Sequence, residues 1–223
     1  MKFFIDSCKI EEIKKVIELG IVSGITMNPS MVAELKTDYV KNLKEICKIV
    51  EIPVFAQVTS SKAKDILEEG KALASIDQKM IVKVHFSAEG IKGMKSLKAE
   101  GIKVCATAVH SVIEAIIAGE VGADHVAIFT SALIELSEIN TDELLSKVCK
   151  IYRNHNKKTK IMAAGVENIQ QLVAAANAGV DEITCTLDVW EQFFNNQHTI
   201  NRWNSFMADW KNEYGLRNWI TGY

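Results

Sequence analysis

Lys2-Phe3-Phe4-Ile5-Asp6-Ser7-Cys8-Lys9 opens the chain with a short apolar run and then a turn that contains no glycine. That turn decides between two architectures. Outward from it, short β-branched runs recur every roughly 20–30 residues, each followed by a segment of helical apolar period, the pattern of βα units. The strand candidates are Lys2–Asp6, Gly24–Asn28, Val54–Val58, Met80–Val84, Lys103–Val109, His125–Thr130, Lys160–Gly165 and Glu182–Leu187. Helical segments are expected at Ile10–Leu19, Tyr39–Val50, Ala63–Ala74, Ile91–Glu100, Val112–Gly119, Asp142–Asn154, Ile169–Ala178 and Val189–Asn195. This alternation fits either a closed barrel or a doubly wound open sheet. A doubly wound nucleotide-binding sheet carries a glycine-rich turn after its first strand, and Asp6-Ser7-Cys8-Lys9 has none. An α/β fold, the (β/α)₈ TIM barrel, is predicted.

Local signals agree with these elements. Ile10, Ile13, Val16 and Ile17 share one helical face, and Asn140-Thr141-Asp142-Glu143 reads as a capped helix start. Gly20, Gly70, Gly101 and Gly179 are each read as lying just past a helix end. With only two prolines and no low-complexity stretch, residues 1–223 are expected to form a single domain. An additional C-terminal helix, 199–214, aligns Trp203, Phe206, Trp210 and Tyr214 in one stripe. The stripe suits packing on its own barrel or on a neighbouring subunit.

Composition excludes several classes of function. Lys+Arg of 26 against Asp+Glu of 28, without a basic stripe, argues against a nucleic-acid partner. Five widely spaced cysteines without a CxxC pair read as reduced, buried thiols in a cytoplasmic protein. Five histidines without HxxxH spacing offer no metal site, and His85 and His110 read as strand-end residues. Neither a signal peptide nor a membrane span is expected.

In a barrel, chemistry collects where the strands end, on side chains pointing inward. The first five strands each place a polar residue there: Asp6, Thr26 with Asn28, Gln57, Lys83 and Thr107. Lys83 is the most informative. Either face of a barrel strand is buried, and a buried lysine needs a partner or a purpose. The structural alternatives are a salt bridge to Asp6 and an end-of-strand lysine reaching solvent. The chemical one is a desolvated amine, neutral and able to attack a carbonyl. Asn28, before Pro29, also suits a helix cap.

These motifs, in order, resemble the short transaldolase family, which includes the fructose-6-phosphate aldolases. The resemblance runs over nearly the whole chain. It is carried by Phe4-Ile5-Asp6, Gly24-Ile25-Thr26-Met27-Asn28-Pro29-Ser30, Phe55-Ala56-Gln57-Val58, Ile81-Val82-Lys83-Val84, Ala88-Glu89-Gly90-Ile91, Leu97-Lys98-Ala99-Glu100-Gly101-Ile102, Thr107-Ala108-Val109, Ile183-Thr184 and Leu187-Asp188-Val189. It implies a class I aldolase barrel with no metal or other cofactor, acting on a small ketose and an aldehyde, and assembled as a homo-oligomer, a decamer of two pentamer rings. It also implies that Lys83 forms the Schiff base and that Asp6 is the general acid/base at the C4 hydroxyl. Gln57 and Thr107 match the pair that positions a water. Thr26, Asn28, Phe129 and Gly165 are assigned to substrate binding, Asn28 at the dihydroxyacetone hydroxyls. Phe129 stands where the aldolases carry tyrosine and the transaldolases phenylalanine, whereas Gln57 replaces the glutamate of classical transaldolases.

The chain departs from the family at the phosphate site. Ala132 and Gly165-Val166-Glu167 stand where arginine and a Ser-x-Arg or Ser-x-Lys are usual. Charge-assisted donors are each worth roughly 1.5–3 kcal/mol to a phosphate. What remains is the backbone of a helix expected to start near Gly165. A donor that is not a simple sugar phosphate is therefore expected. The competing readings are a barrel that binds a sugar or anion without turnover, and a metal-dependent aldolase.

Overall fold

The structure is a computed structural model and describes residues 1–130 and 141–215. Among them, eight parallel strands close into a barrel in chain order. They are β1 (Lys2–Asp6), β2 (Val22–Thr26), β3 (Val54–Gln57), β4 (Met80–His85), β5 (Val104–Val109), β6 (His125–Phe129), β7 (Lys160–Val166) and β8 (Glu182–Cys185). β8 returns to β1 with Lys2 opposite Glu182, which removes both sheet edges. The predicted barrel is the fold observed. In place of a glycine, the turn after β1 uses Ser7, whose hydroxyl accepts from the Lys9 amide at 3.1 Å and donates to Glu12 at 2.7 Å.

The helices are α1 (Ile10–Ile17), α2 (Pro29–Leu35), α3 (Tyr39–Ile49), α4 (Ala63–Ala74), α5 (Ala88–Ala99), α6 (Val112–Glu120), α7 (Thr141–Asn154), α8 (Ile169–Ala178), α9 (Leu187–Gln192) and α10 (Gln197–Tyr214). Ile13 and Val16 of α1, Leu43 and Ile46 of α3, and Met94 and Leu97 of α5 are fully or almost fully buried. α4 and α5 approach through two glycines: Leu97 covers Gly70, and Ile66 covers Gly93. Gly70 therefore lies inside α4 as a packing residue and does not end a helix.

Several boundaries differ from the expected ones. β2 runs Val22–Thr26, two residues earlier than expected, because Asn28 leaves the ladder to cap α2, accepting from the Met31 amide at 3.1 Å. Pro29 then occupies the first turn of α2, a helix too short to show an apolar period in the sequence. α5 starts at Ala88, with Ser87 accepting from the Gly90 amide at 2.9 Å. β8 stops at Cys185 because α9 starts at Leu187. The helix start read at Asn140-Thr141-Asp142-Glu143 rests on Asn140, outside the described residues.

The barrel interior is layered by the two-residue period of its strands. Phe4, Phe55, Ile81, Cys105, Ala127, Met162 and Ala164 form its central packing. At the end where the strands begin, Nδ1 of His125 lies 2.8 Å from Oε2 of Glu182, and the imidazole stands edge-on to Phe55 at 4.8 Å. Two residues beyond the central layer, towards the C-terminal ends of their strands, come Asp6, Gln57, Lys83, Thr107 and Phe129.

The ring of Phe4 occupies the space that a side chain on Gly24 would need. Gly24→Ala is expected to cost about 1–3 kcal/mol by overpacking a closed core. A thermal midpoint equal to that of the parent protein would show that this contact is not close-packed.

All five cysteines are buried and unpaired. No helix among the described residues is long and apolar enough to cross a membrane. Met1–Trp190 form one compact unit and the chain from Glu191 onward a second. Within the second unit, Asn196 caps α10 by accepting from the amides of His198 and Thr199. The Trp210 and Tyr214 rings of α10 lie 4.5 Å apart.

Candidate active site

Register places the polar strand ends side by side. Asp6 stands opposite Thr26, and Gln57 opposite Lys83. Thr26 donates its hydroxyl proton to Oδ1 of Asp6 at 2.7 Å. The Thr26 oxygen also lies 2.6 Å from the hydroxyl of Thr184 on β8, so a chain of three polar groups, its two threonines buried, links β8, β2 and β1. Burial pushes the Asp6 carboxyl above its ordinary range, against the opposing pull of the Lys83 charge and of the Thr26 hydrogen bond.

Lys83 is 6% exposed, and its Nζ donates to the carbonyl oxygen of Met27 at 2.9 Å. That carbonyl is available because β2 ends at Thr26. The side chain therefore reaches from β4 past β3 to the end of β2, over the top of the central packing. Among the described residues no carboxylate stands within salt-bridge distance of it, so the ion pair with Asp6 that a structural role would use is not made. Gln57 is held through its backbone: its N–H donates to the Tyr39 hydroxyl at 3.0 Å, and its carbonyl accepts from that hydroxyl at 3.2 Å. Burial pushes the Tyr39 phenol up to about 12, so it remains a donor at neutral pH. Just beyond, Glu69 accepts from the amides and hydroxyls of Thr59 and Ser60, which pins the loop after β3.

Thr107 is buried at the end of β5, where Ala108 has φ +57° and the pairing with β6 slips between Ala106 and Val109. A non-glycine residue in that region costs about 1–3 kcal/mol, and such bulges re-aim strand-end side chains. Here Thr107 stays buried while Ala108 is exposed. His110 follows; its Nδ1 lies 3.0 Å from the Ala108 carbonyl, and its ring lies over that of Phe129 at 5.6 Å. Phe129 ends β6 beside the central packing.

Gly165 sits on β7 with φ +70°, and its carbonyl accepts from the Thr130 hydroxyl at 3.2 Å. α8 begins at Ile169, as its predicted segment does, and not beside Gly165, because Gly165 and Val166 belong to β7. Two amides at its approach are already used. The Gln171 amide donates to Asn168 at 2.9 Å, and the Glu167 amide donates to the Gln171 side chain at 2.7 Å. Ala132, the other departure at the phosphate site, lies outside the described residues.

The structure thus brings Asp6, Thr26, Gln57 and Lys83 to one end of the barrel on adjacent strands, with Asn28 following β2 and Thr107 on β5. Phe129 and Gly165 stand on the two strands beyond. A cleft of about 210 Å³ opens beside Asp6, bordered by Glu12, Glu34 and Asp188 as well as by Lys9. Among the described residues, no three His, Cys, Asp or Glu side chains converge as a metal site requires. Reading the sequence strand by strand missed Thr184, although the same two-residue period extended to the eighth strand points it inward with Glu182. Tyr39 and the Met27 carbonyl carry no such signal.

The transaldolase/fructose-6-phosphate aldolase family model matches residues 3–216. A probable transaldolase of Desulfotalea psychrophila is 36% identical over 211 residues, 95% of this chain and 98% of its own. One of Cytophaga hutchinsonii is 37% identical over 219 residues, covering 96% of this chain and all of the relative. One of Clostridioides difficile is 35% identical over 211 residues. With a closed eight-stranded barrel and a match over almost its full length, the chain belongs to the transaldolase/fructose-6-phosphate aldolase family.

Proposed function

We propose that the protein is a Schiff-base aldolase or transaldolase that makes or breaks the C3–C4 bond of a ketose, with Lys83 as nucleophile. The observation that carries this reading is the placement of Lys83: buried at the C-terminal end of the barrel, bonded to a backbone carbonyl, and unpaired with any carboxylate of the described residues. A lysine that reaches a carbonyl without a carboxylate partner is free to act as a nucleophile through its amine.

The steps follow from the neighbours. The Lys83 amine adds to the C2 carbonyl, and loss of water leaves an iminium. Gln57 and Thr107 position the water that carries those protons. Asn28 spends its Oδ1 on the α2 cap and turns its amide N–H₂ to the dihydroxyacetone hydroxyls. Asp6 takes the proton from O4. The O4–H electron pair becomes the carbonyl of the departing aldehyde, and the C3–C4 pair moves into the enamine, neutralising the iminium. The enamine is then protonated and hydrolysed, or adds to a second aldehyde. Burial of Asp6 serves this step, because a raised carboxyl is a stronger base towards a hydroxyl.

The donor in this reading is not a simple sugar phosphate. Two amides at the approach to α8 are already bonded, Glu167 is exposed there, and four of the five charged residues lining the cleft at Asp6 are acidic. A dianion finds little compensation for its desolvation in such surroundings. Borohydride reduction with dihydroxyacetone is expected to leave an adduct that peptide mapping places on Lys83. Absence of an adduct with every ketose tried would sink the imine reading. In a screen of neutral, sulfonated and phosphorylated ketoses, fructose 6-phosphate is expected to be turned over poorly; saturation at micromolar concentration would overturn the assignment of the tail.

A further inference from the structure

We infer that Thr184 is a positioning residue for Asp6, acting through Thr26 to fix which carboxylate oxygen handles the substrate proton. The inference rests on the reading of Asp6 as the acid/base.

Thr26 has one hydroxyl proton. The bond to Asp6 at 2.7 Å uses it, because an ionised carboxylate only accepts. The contact between Thr26 and Thr184 at 2.6 Å would allow either hydroxyl to donate. With the Thr26 proton committed to Asp6, Thr184 must be the donor. The chain therefore has one polarity, from Thr184 to Thr26 to Oδ1 of Asp6. Each bond polarises the next, and both hydroxyls are buried, at 2% and 1% exposure, where such bonds are stronger than in water. Among the described residues no hydrogen bond reaches Oδ2 of Asp6. Oδ1 is capped by a proton that is not its own, so the proton taken from O4 is received at Oδ2. Without Thr184, the Thr26 hydroxyl loses the donor that polarises it.

The consequence can be read without turnover. The charged and titratable groups that face Asp6 include Lys83 on β4, Cys8 in the loop after β1 and Cys185 on β8, with Lys9, Glu12, Glu34 and Asp188 around the adjoining cleft. Burial holds the Cys8 thiol above its ordinary value and pushes that of Cys185 to about 12, so both stay neutral in acid. A charge-assisted bond to the ionised form opposes the upward push of burial on Asp6. Weakening it moves the Asp6 midpoint higher.

The experiment is an infrared difference titration of protein labelled with carboxyl-carbon-13 aspartate, with the Asp6 band assigned by its absence in Asp6→Asn. Thr184→Val keeps the branched shape and removes the hydroxyl. It is expected to raise the Asp6 midpoint by about half a unit to one unit, the scale of one net hydrogen bond. Thr184→Ser is expected to restore it. A residue that merely fills space would leave the midpoint unchanged in both variants, and that result overturns the inference. Should the valine variant not fold, Thr184→Ala carries the same expectation and the same refutation. Borohydride trapping with dihydroxyacetone on the same preparations separates the two readings. Loss of the adduct in the unmodified protein refutes the imine chemistry, whereas a retained adduct with an unmoved midpoint refutes only the role of Thr184.

Discussion

Lys83→Met is expected to abolish the reducible adduct with dihydroxyacetone and to lower carbon–carbon bond turnover by roughly 10⁴-fold or more, since no other group can replace a covalent nucleophile. The protein is expected to remain folded. The substitution strands the Met27 carbonyl, which costs about 1–3 kcal/mol, but it also replaces a buried polar amino group by an apolar chain of similar length. The thermal midpoint should therefore be equal to or above that of the parent protein. A structural lysine behaves in the opposite way: its loss lowers stability, and activity falls only in proportion to the folded fraction. Lys83→Arg separates charge from nucleophilicity, because a guanidinium keeps the cation but does not form the imine. Activity in the arginine variant would sink the assignment of Lys83, and an unfolded methionine variant would return it to a structural role.

The features that made this site legible in the sequence are those with a short period. Each of Asp6, Gln57, Lys83 and Thr107 is legible as a polar residue in an otherwise apolar strand, and the observed register places Gln57 beside Lys83. The choice of a closed barrel rested on one turn without glycine, and the structure shows how Ser7 and Glu12 make that turn instead. What the sequence concealed depends on long-range closure. Thr184 acts on Asp6 only because β8 returns to β1, 158 residues after Thr26. Tyr39 holds Gln57 from a helix whose orientation no local pattern specifies. The end of β2 was misplaced because Asn28 has two readings, strand residue and helix cap, and the cap takes precedence where a proline follows. The start of α8 at Ile169 is legible in its apolar period, whereas Gly165, taken as lying beside that start, belongs to a bulged strand.

Asp6→Asn is expected to separate catalysis from stability. The amide keeps the size of the side chain and can still meet Thr26, but it cannot accept a proton from O4. Bond cleavage is expected to fall by about 10²- to 10⁴-fold, the worth of a positioned general base, while the borohydride adduct on Lys83 still forms. Stability should move the other way. Burial raises the folded-state pKa of Asp6 above the unfolded value of 3.8, so the folded protein holds this proton more tightly than the unfolded chain does. The stability contributed by that proton is fully present below the unfolded value and is lost as pH rises through the folded one. At neutral pH the parent protein holds a buried carboxylate at a cost that the asparagine variant does not bear. Denaturant titrations should show the variant more stable at neutral pH, with the difference shrinking as pH falls towards the unfolded value. The parent protein should lose cleavage activity on its acidic limb at a pH above the ordinary carboxylate range. If the asparagine variant were less stable at every pH, or if the acidic limb lay at the ordinary value, Asp6 would be no strained base, and the proton from O4 would have to go elsewhere.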